Sequence, residues 1–179
     1  MSKAPVENGH EILSDQASFT ERLAHWAREQ PDKAAWSFLD DAGSSVVDSY
    51  TYSELDNAST ALANHLLDSS GVNPGDRVLL VFFPGLDFTV SIAACFKAGI
   101  IAVPVFPPDP RKLKKDLHHF VSIQESSGST ICLTHAPYNF AKNMAGAKNL
   151  FSLSGHSWPS MTWIQVDKVI QAGKKMKAS

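Results

Sequence analysis

The chain has 179 residues, 44% of them hydrophobic and 19% charged, a balance that suits one globular domain and excludes wholesale disorder. Lys and Arg number 16 against 18 Asp and Glu, so a net charge of -2 gives no global field to recruit nucleic acid. Cys95 and Cys132 each sit inside an apolar run and read as reduced core thiols of a cytoplasmic protein rather than as a disulfide framework.

In chain order, residues 1–16 read as a flexible tail without the apolar stretch of a secretory signal. Phe19, Leu23 and Trp26 recur at helical spacing, and Gln30-Pro31-Asp32 stops that helix. Ala34 to Leu39 and Val46 to Thr51 flank the polar turn 40–44 as a β-hairpin. Ser53 is the expected N-cap of the next helix, with Glu54 and Asp56 in its first turn. Leu55, Ala58, Leu62 and Leu66 form its stripe, and Gly71 ends it. After the turn Asn73-Pro74-Gly75-Asp76, the unbroken run from Val78 to Phe83 predicts a strand buried on both faces.

The alternation then repeats. A helix is expected from Gly85 to Ala98, closed by Gly99, and a strand from Ile100 to Phe106. Asp109 and Pro110 suit the N-cap and first position of a further helix carrying Leu113, Leu117, Phe120 and Val121, with Gly128 at its end. Ser129 to Thr134 reads as a strand, 136–150 as helical, and Met161 to Val166 as a last short strand. Residues 169–179, with Lys174, Lys175 and Lys177, read as a frayed or truncated tail. Strand and helix in alternation predict an α/β fold, an open and mostly parallel sheet flanked by helices and preceded by the hairpin. The longest apolar runs fall far short of the roughly 20 residues of a membrane span.

Ligands of open α/β sheets bind beyond the carboxyl ends of the strands, so the loops after Phe83, Phe106 and Thr134 are the places to search. Pro84-Gly85 opens a helix, but one glycine is a weak phosphate signal beside its reading as a tight turn. Pro107, Pro108 and Pro110 leave the second loop few N–H donors. Neither a complete phosphate-binding loop nor a dinucleotide fingerprint is present. Gly155-His156-Ser157-Trp158-Pro159 matches a nucleophile elbow only in part, because Pro159 replaces the closing glycine. His118 and His119 are adjacent and diverge by about 100° on a helix, which suits a solvated face with Arg111, Lys112, Lys114 and Lys115 better than one metal ion. A basic docking patch is the competing reading of that cluster. Asp40-Asp41 reads as a solvated turn pair, and Trp158 and Trp163 as packing residues. The residues alone therefore describe an α/β domain without a complete catalytic constellation.

Several motifs in order carry a resemblance. Ser49-Tyr50-Thr51-Tyr52-Ser53-Glu54-Leu55-Asp56 resembles the "L-T-Y-x-E-L" opening motif of the adenylate-forming (AMP-binding) ligases. Gly75-Asp76-Arg77-Val78 and Phe96-Lys97-Ala98-Gly99, leading to Val103-Pro104, resemble the motifs that follow in that superfamily. Phe83-Pro84-Gly85-Leu86-Asp87-Phe88 and the proline-rich run 103–110 are most similar to the fatty acyl-AMP ligases. Trp158-Pro159 and Met161 to Ile164 resemble the strand that precedes the family's ATP loop.

The resemblance spans residues 17–168 and implies the N-terminal subdomain of an adenylate-forming enzyme. It also implies a parent that joins a fatty acid to ATP, releases pyrophosphate, uses Mg2+, and passes the acyl group to a carrier-protein or CoA thiol. The family's phosphate loop, adenine motif and catalytic lysine lie after the matched part. The expectation is therefore that the chain contributes no catalytic, cofactor-binding or metal residue, and that it is inactive without the rest of its domain. A non-catalytic adenylation-like binding module is the alternative.

Overall fold

The computed structural model describes residues 6–7, 10–11, 17–109, 113–149 and 158–176. Two short strands, β1 (Val6–Glu7) and β2 (His10–Glu11), pair antiparallel within the stretch expected to be a tail. Helix α1 (Phe19–Glu29) starts with a capping box: Ser18 accepts the Glu21 N–H, and the Glu21 carboxylate accepts the Ser18 N–H. The Ser18 hydroxyl, and then the Ser18 N–H, donate to the exposed Glu21 carboxylate and hold it below its ordinary pKa. Strands β3 (Ala34–Leu39) and β4 (Val46–Thr51) form the hairpin, with its turn fastened by the Asp40 carboxylate on the Ser44 N–H at 2.8 Å.

Helix α2 (Tyr52–Ser69) corrects the expected N-cap. Thr51, not Ser53, caps it, because Thr51 leaves the strand in extended geometry and completes a capping box with Glu54. Ser53 is already inside the helix, and its N–H donates to the Pro31 carbonyl. The stripe Leu55, Ala58, Leu62 and Leu66 is buried, as its spacing requires.

A parallel sheet follows, built from β5 (Arg77–Leu80), β6 (Ile101–Pro104), β7 (Ile131–Thr134) and β8 (Thr162–Gln165) in the order β6-β5-β7-β8. Helices α3 (Leu86–Ala98), α4 (Leu113–Ser127) and α5 (Ala136–Asn149) connect the strands. The chain steps from β5 outward to β6, then back across β5 to β7. Two right-handed crossovers in opposite directions place α3 and α4 on opposite faces. The strand side chains agree: Val78, Leu80 and Leu133 pack with α2 and α3, while Leu79, Val81 and Cys132 pack with α4 and α5.

Helix α4 is described from Leu113, and the expected cap at Asp109 and Pro110 turns on residues 110–112, which lie outside the described residues; the Asp109 N–H meets the Asp116 carboxylate at 3.2 Å. The end of the chain also departs from its expected fraying. Residues 167–174 form helix α6 (Asp167–Lys174), with Ile170 fully buried and Gly173 against α2. A Cβ on Gly173 would lie 2.7 Å from the Ala58 Cα and 2.8 Å from the Ala61 Cβ, so α2 and α6 touch backbone to backbone. The lysines concealed this, since Lys174 reaches outward to Asp48 at 3.0 Å and lies over the Tyr50 ring while its helix buries the opposite side. No helix among the described residues is long and apolar enough to cross a membrane.

Candidate functional site

The strand order reverses between β5 and β7, and in open α/β sheets the crevice beyond the carboxyl ends at such a point is the binding position. The structure brings together here two of the three loops selected from the sequence. Val81 continues the β5 ladder by donating to the Leu133 carbonyl, and the buried Thr134 hydroxyl donates to the Val81 carbonyl at 2.9 Å. The chain then turns through Phe83, Pro84 and Gly85 into α3.

His135, the residue after β7, ties the two loops. It is only 6% exposed, and its Nε2 accepts the Phe83 N–H at 3.1 Å. A backbone N–H can only donate, so Nε2 carries a lone pair and the neutral ring carries its proton on Nδ1. Nδ1 faces the Asp87 carboxylate of the first turn of α3 at 3.4 Å. The Phe82 and Phe83 rings flank the imidazole, with centroids 5.4 and 5.7 Å away. An imidazole oriented by a carboxylate is the arrangement of a general base, but its second nitrogen is occupied by backbone. The pair therefore pins a loop and presents no basic nitrogen to a substrate.

The same crevice is poor ground for phosphate. Helix N-termini attract anions through unpaired N–H groups and the helix dipole. At α5 that role is filled from within: both Asp167 carboxylate oxygens accept the Ala136 N–H at 2.9 Å. At α3, Gly85 supplies no side-chain cap, but Asp87 places a carboxylate in the first turn. A nucleotide phosphate here would face two fixed negative charges. The donors also do not suit Mg2+, because each of these carboxylates is engaged by the protein and no group of three His, Cys, Asp or Glu converges among the described residues.

The third loop joins through α5. The Tyr138 hydroxyl is buried and donates to the Pro108 carbonyl at 2.8 Å, which holds the proline-rich exit of β6 against the start of α5. Burial, and then the charges of the neighbouring acids, push this phenol far above its ordinary pKa. Beyond it Phe106, Phe140 and Met144 stand exposed.

The remaining candidates do not gather here. His118 and His119 are exposed on α4, their rings in contact at 3.8 Å; Arg111 and Lys112, and the side chains of Lys114 and Lys115, lie outside the described residues. Gly155 to Ser157 of the partial elbow also lie outside them, whereas Trp158 and Trp163 pack against Phe120 and each other. Cys95 and Cys132 are buried and unpaired, and burial pushes the Cys95 thiol up to about 12. His135 and Asp87 were not singled out from sequence. The signal available was a histidine at the carboxyl end of a buried strand, in the position the fold reserves for a site.

Three of the motifs that carry the resemblance, at 49–56, 75–78 and 96–99, lie on the α2–α3 side and bind one another. Lys97 extends its Nζ to the Asp56 carboxylate at 2.6 Å, the Asp56 carbonyl at 2.9 Å and the Thr60 hydroxyl at 2.7 Å. Gly99 closes α3 at φ 67°, a left-handed conformation that other residues resist, and its carbonyl accepts the Gly75 N–H at 2.8 Å.

Comparison with known proteins agrees with this arrangement. Residues 23–172 match the family described as AMP-binding enzyme. The medium-chain-fatty-acid–[acyl-carrier-protein] ligase JamA of Moorena producens is 31% identical over 147 residues, covering 82% of this chain and 24% of JamA. Disco-interacting protein 2 homolog B-A of Danio rerio is 30% identical over 152 residues, 85% of this chain and 9% of that protein. The medium-chain fatty-acid–CoA ligase of Escherichia coli is 40% identical over 95 residues, 53% of this chain and 16% of the ligase. Among solved structures, a fatty acid AMP ligase from Legionella pneumophila superposes with a TM-score of 0.64 at 26% identity, covering 92% of this chain and 26% of that one. The chain thus spans between 9% and 26% of the length of these proteins.

Proposed function

Because the chain belongs to the AMP-binding enzyme family, we propose that it is the N-terminal scaffold of an ATP-dependent, fatty-acid-activating ligase. Its fold, a parallel sheet between helical layers with a preceding hairpin, is that of the adenylate-forming enzymes. In the reaction proposed for the whole ligase, the fatty acid carboxylate attacks the α-phosphorus of ATP and pyrophosphate leaves. The acyl-adenylate then passes its acyl group to a carrier-protein thiol, or to CoA, in the cytoplasm. Magnesium there neutralises phosphate charge.

One observation carries the reading that this chain supplies support rather than chemistry: the motifs at 49–56, 75–78 and 96–99 are spent on each other, Lys97 on Asp56 and Gly75 on Gly99. The carboxylates at the sheet crevice point the same way, since they disfavour phosphate there. Residues 17–168 are the proposed extent of the matched subdomain, with α6 completing its packing.

The test has two arms. Fatty-acid-dependent ATP–pyrophosphate exchange by the 179-residue chain alone is expected to be undetectable, and measurable exchange would overturn the scaffold reading. A chimera in which residues 17–174 replace the matching part of JamA is expected to retain exchange. A folded but inactive chimera would instead favour a binding module, the reading supported by the similarity to the Disco-interacting protein 2 homologue.

A further inference from the structure

Independently of the ligase reading, the bond that fixes the β5 exit requires a lone pair on His135 Nε2. Phe83 N–H and His135 Nε2 are held at 3.1 Å across two loops 52 residues apart in sequence. The ring is buried, and Asp87 stands at 3.4 Å from its other nitrogen as a ready counter-ion. Asp87 of α3 is the titratable group that meets the ring itself; Tyr138 of α5 meets the flanking Phe83 ring, and Asp167 at the start of α6 binds the adjoining Ala136 peptide. Tyr138 is committed to Pro108 and stays neutral, so the charges near the ring are carboxylates.

We propose that His135 is a proton-operated latch on the segment 82–85 that joins β5 to α3. With Nε2 unprotonated, the ring holds the Phe83 N–H and the crevice wall is closed. A proton taken up at Nε2 sets two donors against each other, so the Phe83 bond is lost. The imidazolium stays with Asp87, and the segment is released while the β5–β7 ladder, closed by Val81 on Leu133, remains. The latch opens on acidification and closes on its reversal.

The test is amide hydrogen exchange by NMR on the full chain between about pH 8 and pH 5, the range over which imidazoles titrate. After correction for intrinsic rates, protection of the Phe83 N–H is expected to fall at least tenfold towards pH 5, while the Val81 N–H keeps its protection. His135→Gln retains an acceptor without a titrating proton, and its Phe83 protection is expected to be independent of pH. Asp87→Asn removes the counter-ion, and its transition is expected to move to lower pH. Constant Phe83 protection in the unmodified chain would overturn the latch, as would parallel loss at Val81 or an unchanged profile in His135→Gln. If His135→Gln does not fold, Asp87→Asn decides: a transition that does not move overturns the proposal.

Discussion

The two faces of the parallel sheet are held by different means. On the α2, α3 and α6 side the core is mainly aliphatic, with Leu55, Ala58, Leu62, Val90, Ala94 and Ile170 at or near zero exposure and Tyr50 and Phe82 as its buried rings. Its precision comes from backbone devices: the Thr51 capping box, the left-handed Gly99, and Gly173 set against Ala58. On the α4 and α5 side the core is a lattice of rings. Phe120 stacks on Trp163 at 6.1 Å and meets Trp158 edge-on at 5.2 Å, and Tyr138 packs between Phe83 and the two tryptophans. Helices that approach closely need small residues, whereas a wide gap is filled most economically by aromatic area. The motifs at 49–56, 75–78 and 96–99 lie on the first side, whereas Trp158 and Trp163, from the last motif, belong to the second.

This contrast can be broken from either side. The largest effect is expected from Phe120→Ala, which empties the centre of the ring lattice and should cost about 4 kcal/mol by urea denaturation, with loss of tryptophan fluorescence structure. Gly173→Ala should cost about 2 kcal/mol, because the new methyl meets α2 backbone that cannot yield cheaply. Hydrogen exchange should then show α6 losing protection while α4 and α5 keep theirs. Lys97→Met keeps the aliphatic stem but leaves the partly buried Asp56 without its cation. A loss of about 1.5 kcal/mol is expected, and a neutral result would mean that water replaces the ammonium. The smallest effect, about 1 kcal/mol, is expected of Tyr138→Phe, which leaves the ring lattice intact and removes only the bond to Pro108.

Alkaline pH should strain both sides together. Tyr50 and Cys95 on the first side, and Tyr138 and Cys132 on the second, are all held above their ordinary pKa, in each case chiefly by burial. For an acid whose folded pKa is raised, the unfolded chain releases its proton first. The stability these groups contribute is thus complete below about pH 8 and lost as the pH rises past the unfolded thiol and phenol values. The midpoint of urea unfolding is expected to fall steadily from pH 8 to pH 10.5. A flat profile would show that the four groups are better hydrated than their burial implies.

Much of this fold was legible in the chain itself. The amphipathic stripe of α2, the apolar runs that became β5 and β7, and the glycine closing α3 each follow from side-chain period or backbone freedom, which are local properties. The ordered motifs identified the family for the same reason. Local periodicity could not foresee α6, whose lysines mask a buried edge that exists only once Ala58 and Ala61 are beside Gly173. Nor could it choose Thr51 over Ser53 as the cap, since that choice follows from where the hairpin strand ends.

The candidate site belonged almost wholly to the second category. Pattern alone put Thr134 at its strand end and Phe83 three residues beyond the observed end of β5, but the His135–Phe83–Asp87 group joins residues about 50 positions apart that meet only because β7 pairs with β5. Sequence thus determined which segments become helix and strand and to which family they belong, because those depend on neighbours along the chain. Tertiary structure decided which polar groups face each other. A hydrogen bond requires two atoms within about 3 Å, and sheet order, not spacing in the chain, sets that distance.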